Sequence, residues 1–253
     1  MTSRLVEVAP ERLAGWVARF TASHGPVRHE LATPEHLLLR AADGEVADLE
    51  VPWPPLPVPL ALPTCSAEAP EDDDVGERVA ALAAHAALER TALLVLARRG
   101  GWAVGLARGG ELLDGTHGTR YVQSRTAAGG WSQQRYARRR ANQADGLVAA
   151  ARDGLGGVLG RATAGAGGLA PEVLVLGGDR QLVAAVVDSV PDPGAPRLHA
   201  LPRGPLLDVP DPRRAVLVEV ARRARCVRVR VGAEPAPAGA LRPGPSGPGR
   251  VRP

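Results

Sequence analysis

Two adjacent glutamines, Gln133 and Gln134, follow a glycine-rich run, Ala127-Ala128-Gly129-Gly130-Trp131-Ser132, and lead into a series of arginines. A glutamine amide is no useful acid or base at neutral pH, but it can hold a water molecule through hydrogen bonds. Gly129 and Gly130 let backbone approach a ligand closely and offer N–H groups to developing negative charge. Residues 115–144 also carry six arginines, Arg120, Arg125, Arg135, Arg138, Arg139 and Arg140, and no acidic residue. Guanidinium forks suit phosphate oxygens. A water-positioning amide beside a glycine loop, on a surface that fits a polyanion, points to hydrolysis of an ester carried by RNA.

Other chemistries find less support. No G-x-S-x-G nucleophile elbow occurs. His117 is a lone histidine in a glycine turn, and the other five histidines show no metal-ligand spacing. Asp114 and Asp145 bracket the basic stretch without the clustering that a metal-dependent nuclease requires. Gly177-Gly178-Asp179 follows a strand and opens a helix, which reads as a helix cap; no P-loop lysine accompanies it. The two cysteines, Cys65 and Cys226, are far apart and form no CxxC pair, so reduced thiols are expected. Neither a metal nor a cofactor is expected.

The wider composition agrees with a globular, cytoplasmic protein. Hydrophobic residues make up 45% of 253, enough for a real core, while aromatics are 3%, so Ala, Val and Leu must build it. All 31 basic residues are arginine, as a GC-rich coding sequence would produce. The net charge of +4 is modest, but it is unevenly placed: residues 71–74 are Glu-Asp-Asp-Asp, whereas 115–144 are purely cationic. The N-terminus has no signal-peptide apolar core and no run is long enough to span a bilayer, so no membrane partner is expected.

The elements that position these residues can be read in order. Residues 1–52 form a small α+β segment, with Pro10 at a first helical turn, Leu13, Trp16, Val17 and Phe20 at helical spacing, and a hairpin around Asp43-Gly44. Residues 53–74, proline-rich and then acidic, read as a linker. The span 75–232 reads as one domain. It opens with a helix at 75–89, with Asp73 or Asp74 as its cap, and a three-strand meander at 91–98, 102–107 and 111–123. The glycine loop and a long helix come next.

On that helix Ala137, Ala141, Ala144, Val148, Ala151 and Leu155 share one stripe, and Arg135, Arg138, Arg139 and Asn142 lie opposite. A buried strand and helix at 172–190, a short strand at 197–201, and a helix and last strand at 211–231 complete a single mixed sheet of α/β (α+β) class. Residues 233–253, dominated by Pro, Gly, Ala and Arg, are expected to be a disordered tail.

This order resembles the catalytic domain of eukaryotic and archaeal class I release factors. More closely, it resembles the Vms-like release factors of ribosome quality control, peptidyl-tRNA hydrolases with a bacterial, actinobacterial-type branch. The matching residues are Arg120-Tyr121, Arg125 and Gly130-Trp131-Ser132-Gln133, within about 75–232. The chain departs from the family in having no Gly-Gly-Gln triplet: Trp131 and Ser132 intervene.

The resemblance implies that Gln133, or Gln134 as second choice, is the catalytic glutamine and that Gly129 and Gly130 carry the loop to the ester. It also implies that Arg120, Arg125, Trp131, Arg135, Arg138, Arg139 and Arg140 contact RNA. The partners would be large-subunit rRNA and peptidyl-tRNA, with the protein a monomer. A second reading stays open: a non-catalytic RNA- or ribosome-binding module that uses the same basic helix.

Overall fold

A computed structural model of the chain describes residues 4–56, 72–119, 132–164, 168–191 and 194–232, with backbone alone at 30–32, 72–74 and 132–142. The described strands form two sheets. Sheet 1 is antiparallel, in the order β1-β9-β4-β3-β2. Its strands are β1 (Arg4–Val8), β2 (Val27–Ala32), β3 (His36–Ala41), β4 (Val46–Glu50) and, from the far end of the chain, β9 (Val227–Val231). Sheet 2 contains β5 (Thr91–Arg98), β6 (Gly101–Arg108), β7 (Glu111–Thr119) and β8 (Val173–Gly178), in the order β7-β6-β5-β8. The first three are the expected meander; β8 joins β5 in parallel, which makes this sheet mixed.

Alternation decides what each strand buries. In sheet 1, Leu37, Leu39, Ala47, Leu49, Val227 and Val229 face one way. They pack on α1 (Leu13–His24), through Leu13, Val17 and Phe20, and on α2 (Asp72–Ala87), through Val75, Val79, Leu82 and Ala86. The intervening residues form a charged second face. There Asp48 accepts from His36 at 2.8 Å and lies 3.8 Å from Arg230, while Glu50 pairs with Arg230 and, at 3.5 Å, with Arg228. The final strand was expected in the mixed sheet. Its alternation, Val-Arg-Val-Arg-Val, fits sheet 1, where valines meet the core and arginines meet Asp48 and Glu50.

Sheet 2 is covered on both faces, and β5 is accordingly an almost unbroken apolar run. Leu93, Val95, Trp102, Val104 and Leu106 pack under α3 (Ser132–Ala164) and α4 (Arg180–Asp188). Leu94, Leu96, Ala103 and Ala107 pack under α6 (Arg214–Arg223) through Val216, Leu217 and Val220. The C-terminal end of α6 ties the sheets together: Arg223 donates twice to Glu7 of β1, at 2.7 and 2.8 Å, and Arg225 lies 2.5 Å from Glu11.

Three sequence expectations change. Residues 197–201 are not a strand, because Gly194–His199 is a short helix, α5, in which Leu198 alone is buried. The expected linker begins as packed structure: Val51, Pro52, Trp53 and Leu56 are buried, and α2 already starts at Asp72. Residues 57–71 and the tail at 233–253 lie outside the described residues. The sequence reading divided the chain at 74, yet α2 and β9, both beyond that point, pack with the first sheet.

His85 of α2 fastens that packed segment. Its Nε2–H is directed at the carbonyls of Pro52 and Trp53, at 3.1 and 3.2 Å. Burial pushes its pKa below the ordinary value of 6.5. The unfolded chain therefore takes up the proton first, so the contribution is full above about pH 6.5 and is lost as pH falls towards the folded pKa. His36 works in the opposite sense. Its bond to Asp48 raises its pKa, and its contribution is full at low pH and lost as pH rises through the raised value. We expect urea midpoints measured between about pH 7.5 and about pH 5 to fall less for His85→Gln than for wild type. Parallel curves would show that His85 carries none of the acid sensitivity.

Candidate functional site

Sheet 2 delivers the glycine loop from one end. The last pairs of the meander are Arg98–Gly101 and Gly101–Thr119, and β8 ends beside them at the Ala97–Gly178 pair. The chain leaves this end after Thr119 and is next described at Ser132, where α3 begins. Arg120, Arg125, Gly129, Gly130 and Trp131 lie outside the described residues. Gln133, Gln134, Arg135, Arg138, Arg139 and Arg140 lie in the first turns of α3, described as backbone.

α3 is one continuous helix of 33 residues, and its second half is fixed to the sheet. Leu147, Ala151, Leu155 and Val158 are at most 1% exposed and follow helical spacing. The expected stripe shares Ala151 and Leu155, but the observed line is turned by about 45° towards Leu147 and Val158, the larger apolar groups. Counting back from it at ~100° per residue places positions 133, 137, 140 and 144 on the same line and positions 135, 138 and 142 opposite. Gln133 and Gln134 thus start on different lines of the helix, and Arg140 falls on the line opposite the arginine comb.

Two contacts hold α3 in register. Arg161 donates to Asp114 of β7 at 2.8 Å, which holds the Asp114 carboxyl below its ordinary pKa. At Gly154 the helix lies on the indole of Trp102, so closely that a Cβ there would come within 2.5 Å of two ring carbons. On the sheet side, a Cβ at Gly118 of β7 would meet the same indole at 2.8 Å. Trp102 is wedged between two glycines. Since Gly154 meets Trp102 while Arg161 meets Asp114, α3 descends along β7, and its earlier turns rise past the strand ends. The 21 residues from Gln133 to Gly154 span about 32 Å of axis.

Sequence reasoning missed Trp102, Gly118, Gly154 and Arg161. A readable signal existed at Gly154, because a glycine on the inner side of a long helix calls for something large opposite. Gly156 and Gly160 are different, since nothing lies within 4 Å of a Cβ at either. Alanine at Gly156 or Gly160 should stabilise the fold by about 0.5–1 kcal/mol each, through helix propensity alone. Urea denaturation measures this; a loss of stability would mean that the helix needs glycine there.

The remaining candidates are accounted for structurally. Asp179 caps α4, accepting from the backbone N–H of Gln181 and Leu182 at 3.0 and 3.3 Å, as expected of a cap. His117 is exposed on β7. Burial pushes the Cys226 thiol up, away from reactivity. Among the described residues no cluster of His, Cys, Asp or Glu could hold a metal ion, and no helix is long and apolar enough to cross a membrane.

Comparison with known proteins bears on the same region. Residues 90–230 match the family described as Actinobacteria/chloroflexi VLRF1 release factor. The match covers more than half of the 253 residues and runs from the start of β5 almost to the end of β9. No curated protein matches the chain.

Proposed function

The chain belongs to the Actinobacteria/chloroflexi VLRF1 release factor family, which implies a role in ribosome rescue or release, and from that premise we propose that it hydrolyses peptidyl-tRNA on stalled large ribosomal subunits. The substrate is the ester between the nascent chain and a ribose hydroxyl of the terminal adenosine. Water attacks the ester carbonyl carbon, the bond to the ribose oxygen breaks, and that oxygen takes up the proton. The products are a free peptide acid and a tRNA with its hydroxyl restored.

Gln133 accepts a hydrogen bond from the attacking water and aligns it with the carbonyl. Backbone N–H groups at Gly129 and Gly130 face the developing oxyanion. Arg135, Arg138 and Arg139 bind RNA phosphates, with Arg120, Arg125 and Arg140 as further contacts, and Trp131 stacks on a base. Gln133 is preferred to Gln134 because its position continues the line of α3 that packs on the sheet. The rest of the catalytic apparatus belongs to the ribosome and the tRNA.

The observation that best supports this reading is the continuity of α3: a segment anchored by Leu147, Ala151, Leu155 and Val158 carries the glutamine and its arginines on one rigid rod. The direct test is release of a labelled nascent chain from stalled large subunits by the purified protein. Salt-sensitive binding without release would favour the non-catalytic RNA-binding module.

A further inference from the structure

The arginines of α3 stand far from the sheet, but the end of sheet 2 from which the loop departs carries cations of its own. The β5–β6 turn contributes Arg98 and Arg99, one strand pair from Thr119. On the face away from α3, the start of α6 contributes Arg213 and Arg214, and Asp211 two residues before Arg213 lies 3.3 Å from where a Gly100 Cβ would sit. The turn and the start of α6 are therefore neighbours on one rim.

The charges on this rim are unequally matched. Arg98 donates to the Val209 carbonyl and lies 3.8 Å from Asp208, so it is held in place. Arg99, Arg213 and Arg214 are exposed, and their side chains make no hydrogen bond or ion pair among the described residues. Arg214 acts on Asp114 only at range. Asp179, Asp208 and Asp211 are the nearby acids; Asp179 is engaged in capping α4, and Asp208 faces the arginine that is already anchored.

The placement also works against stability. Arg213 and Arg214 occupy the N-cap and first position of α6, with no acidic residue in its first turn. A cation there opposes the helix dipole. Arginines that are exposed, unpaired among the described residues and, at 213 and 214, opposed to the helix dipole call for a role outside the fold.

We propose that Arg99, Arg213 and Arg214, with Arg98 as the fixed member, form a second RNA-phosphate-binding surface at the base of the projecting helix, separate from the arginines beside Gln133. The inference rests on the ribosomal reading above and extends it to two-point attachment. The first turns of α3 reach the ester, while the rim, about 30 Å behind at the foot of that rod, grips RNA backbone at the mouth of the site. The rim supplies docking affinity and no chemistry.

The test is the triple variant Arg99→Gln, Arg213→Gln, Arg214→Gln, which leaves the anchored Arg98 intact. Among the described residues none of the three makes a hydrogen bond or ion pair, and only Arg214 acts at range on Asp114, so thermal unfolding should stay close to that of wild type, which separates lost binding from lost folding. Binding to isolated large subunits should weaken by roughly tenfold or more near physiological salt. The slope of log affinity against log salt should fall by about 2, as expected for three phosphate contacts on unpaired RNA.

In the release assay KM should rise with kcat kept. Unchanged affinity and salt slope in a folded variant would overturn the proposal, and so would a fall in kcat at unchanged KM. The outcome is distinct from failure of the hydrolase reading: if wild type binds subunits but releases nothing, the salt slopes still decide whether the rim touches RNA.

Discussion

Gln133→Ala is expected to reduce nascent-chain release by at least about 100-fold while leaving large-subunit binding and its salt dependence unchanged. The magnitude follows from what a positioned amide does. On the proposed reading it adds no acid or base, so its whole contribution would be to hold water in line with the carbonyl, and misplacing a reacting group by about 1 Å can cost about 100-fold. Binding should survive, since on the proposed reading it belongs to guanidiniums on α3 and at the sheet's end. Gln134→Ala is the internal control, since position 134 lies on a different line of the helix. Loss of release at 134 but not 133 would move the water-holding role by one residue. Release unaffected by both changes would remove glutamine from the mechanism.

The second large effect lies far from the ester. Gly154→Ala should lower stability by about 1–3 kcal/mol, because its Cβ would meet Trp102 at 2.5 Å in a packed interior, less the gain of up to about 1 kcal/mol in helix propensity. Release should fall more than stability alone explains. The arm from Gly154 to Gln133 is about 32 Å, so tilting α3 by about 2° to relieve the clash moves position 133 by about 1 Å. The expected signature is a fall in kcat of about 10- to 100-fold with subunit binding little changed. Trimming the indole in Trp102→Leu on the Gly154→Ala background should return part of the lost activity. If the double variant is merely additive, the wedge does not set the aim of the helix, and Trp102 is ordinary packing.

Much of the fold was readable because local pattern and burial agree. The meander of β5, β6 and β7 follows from apolar runs broken at Gly100-Gly101 and Gly109-Gly110. Likewise the turn at Asp43-Gly44 and the Asp179 cap follow from side-chain chemistry acting within a few residues. Pairing between distant strands was less legible. Nothing local in Val227–Val231 says that its neighbours are β1 and β4; the acids opposite its arginines do, Glu50 and Asp48 on β4 and Glu7 on β1, and these are about 180 residues or more away. Residues 197–201 misled because Leu198, Ala200 and Leu201 in so short a run fit either period.

At the site, the arginine comb and the glutamines were visible as residue types at helical spacing. The wedge at Trp102 was not, since it depends on a glycine in one element meeting an aromatic in another. The rim arginines were hidden for a related reason. Arg98 and Arg99 are separated from Arg213 and Arg214 by more than a hundred residues and meet only when β5, β6 and α6 are assembled.

The place of β9 has a consequence for how the protein comes into being. β1 and β4 are made early, but the strand that lies between them is made near residue 231. On the ribosome, sheet 1 must wait with the place between β1 and β4 unfilled until almost the whole described chain has emerged, whereas the meander and α3 can assemble beforehand. Such long-range closure slows folding and leaves strand edges exposed while it is pending. The same interlock means that residues 90–230, the span shared with the family, are not a self-sufficient piece. Cut out alone, they would carry β9 without either of its partners and would present a bare valine face to solvent.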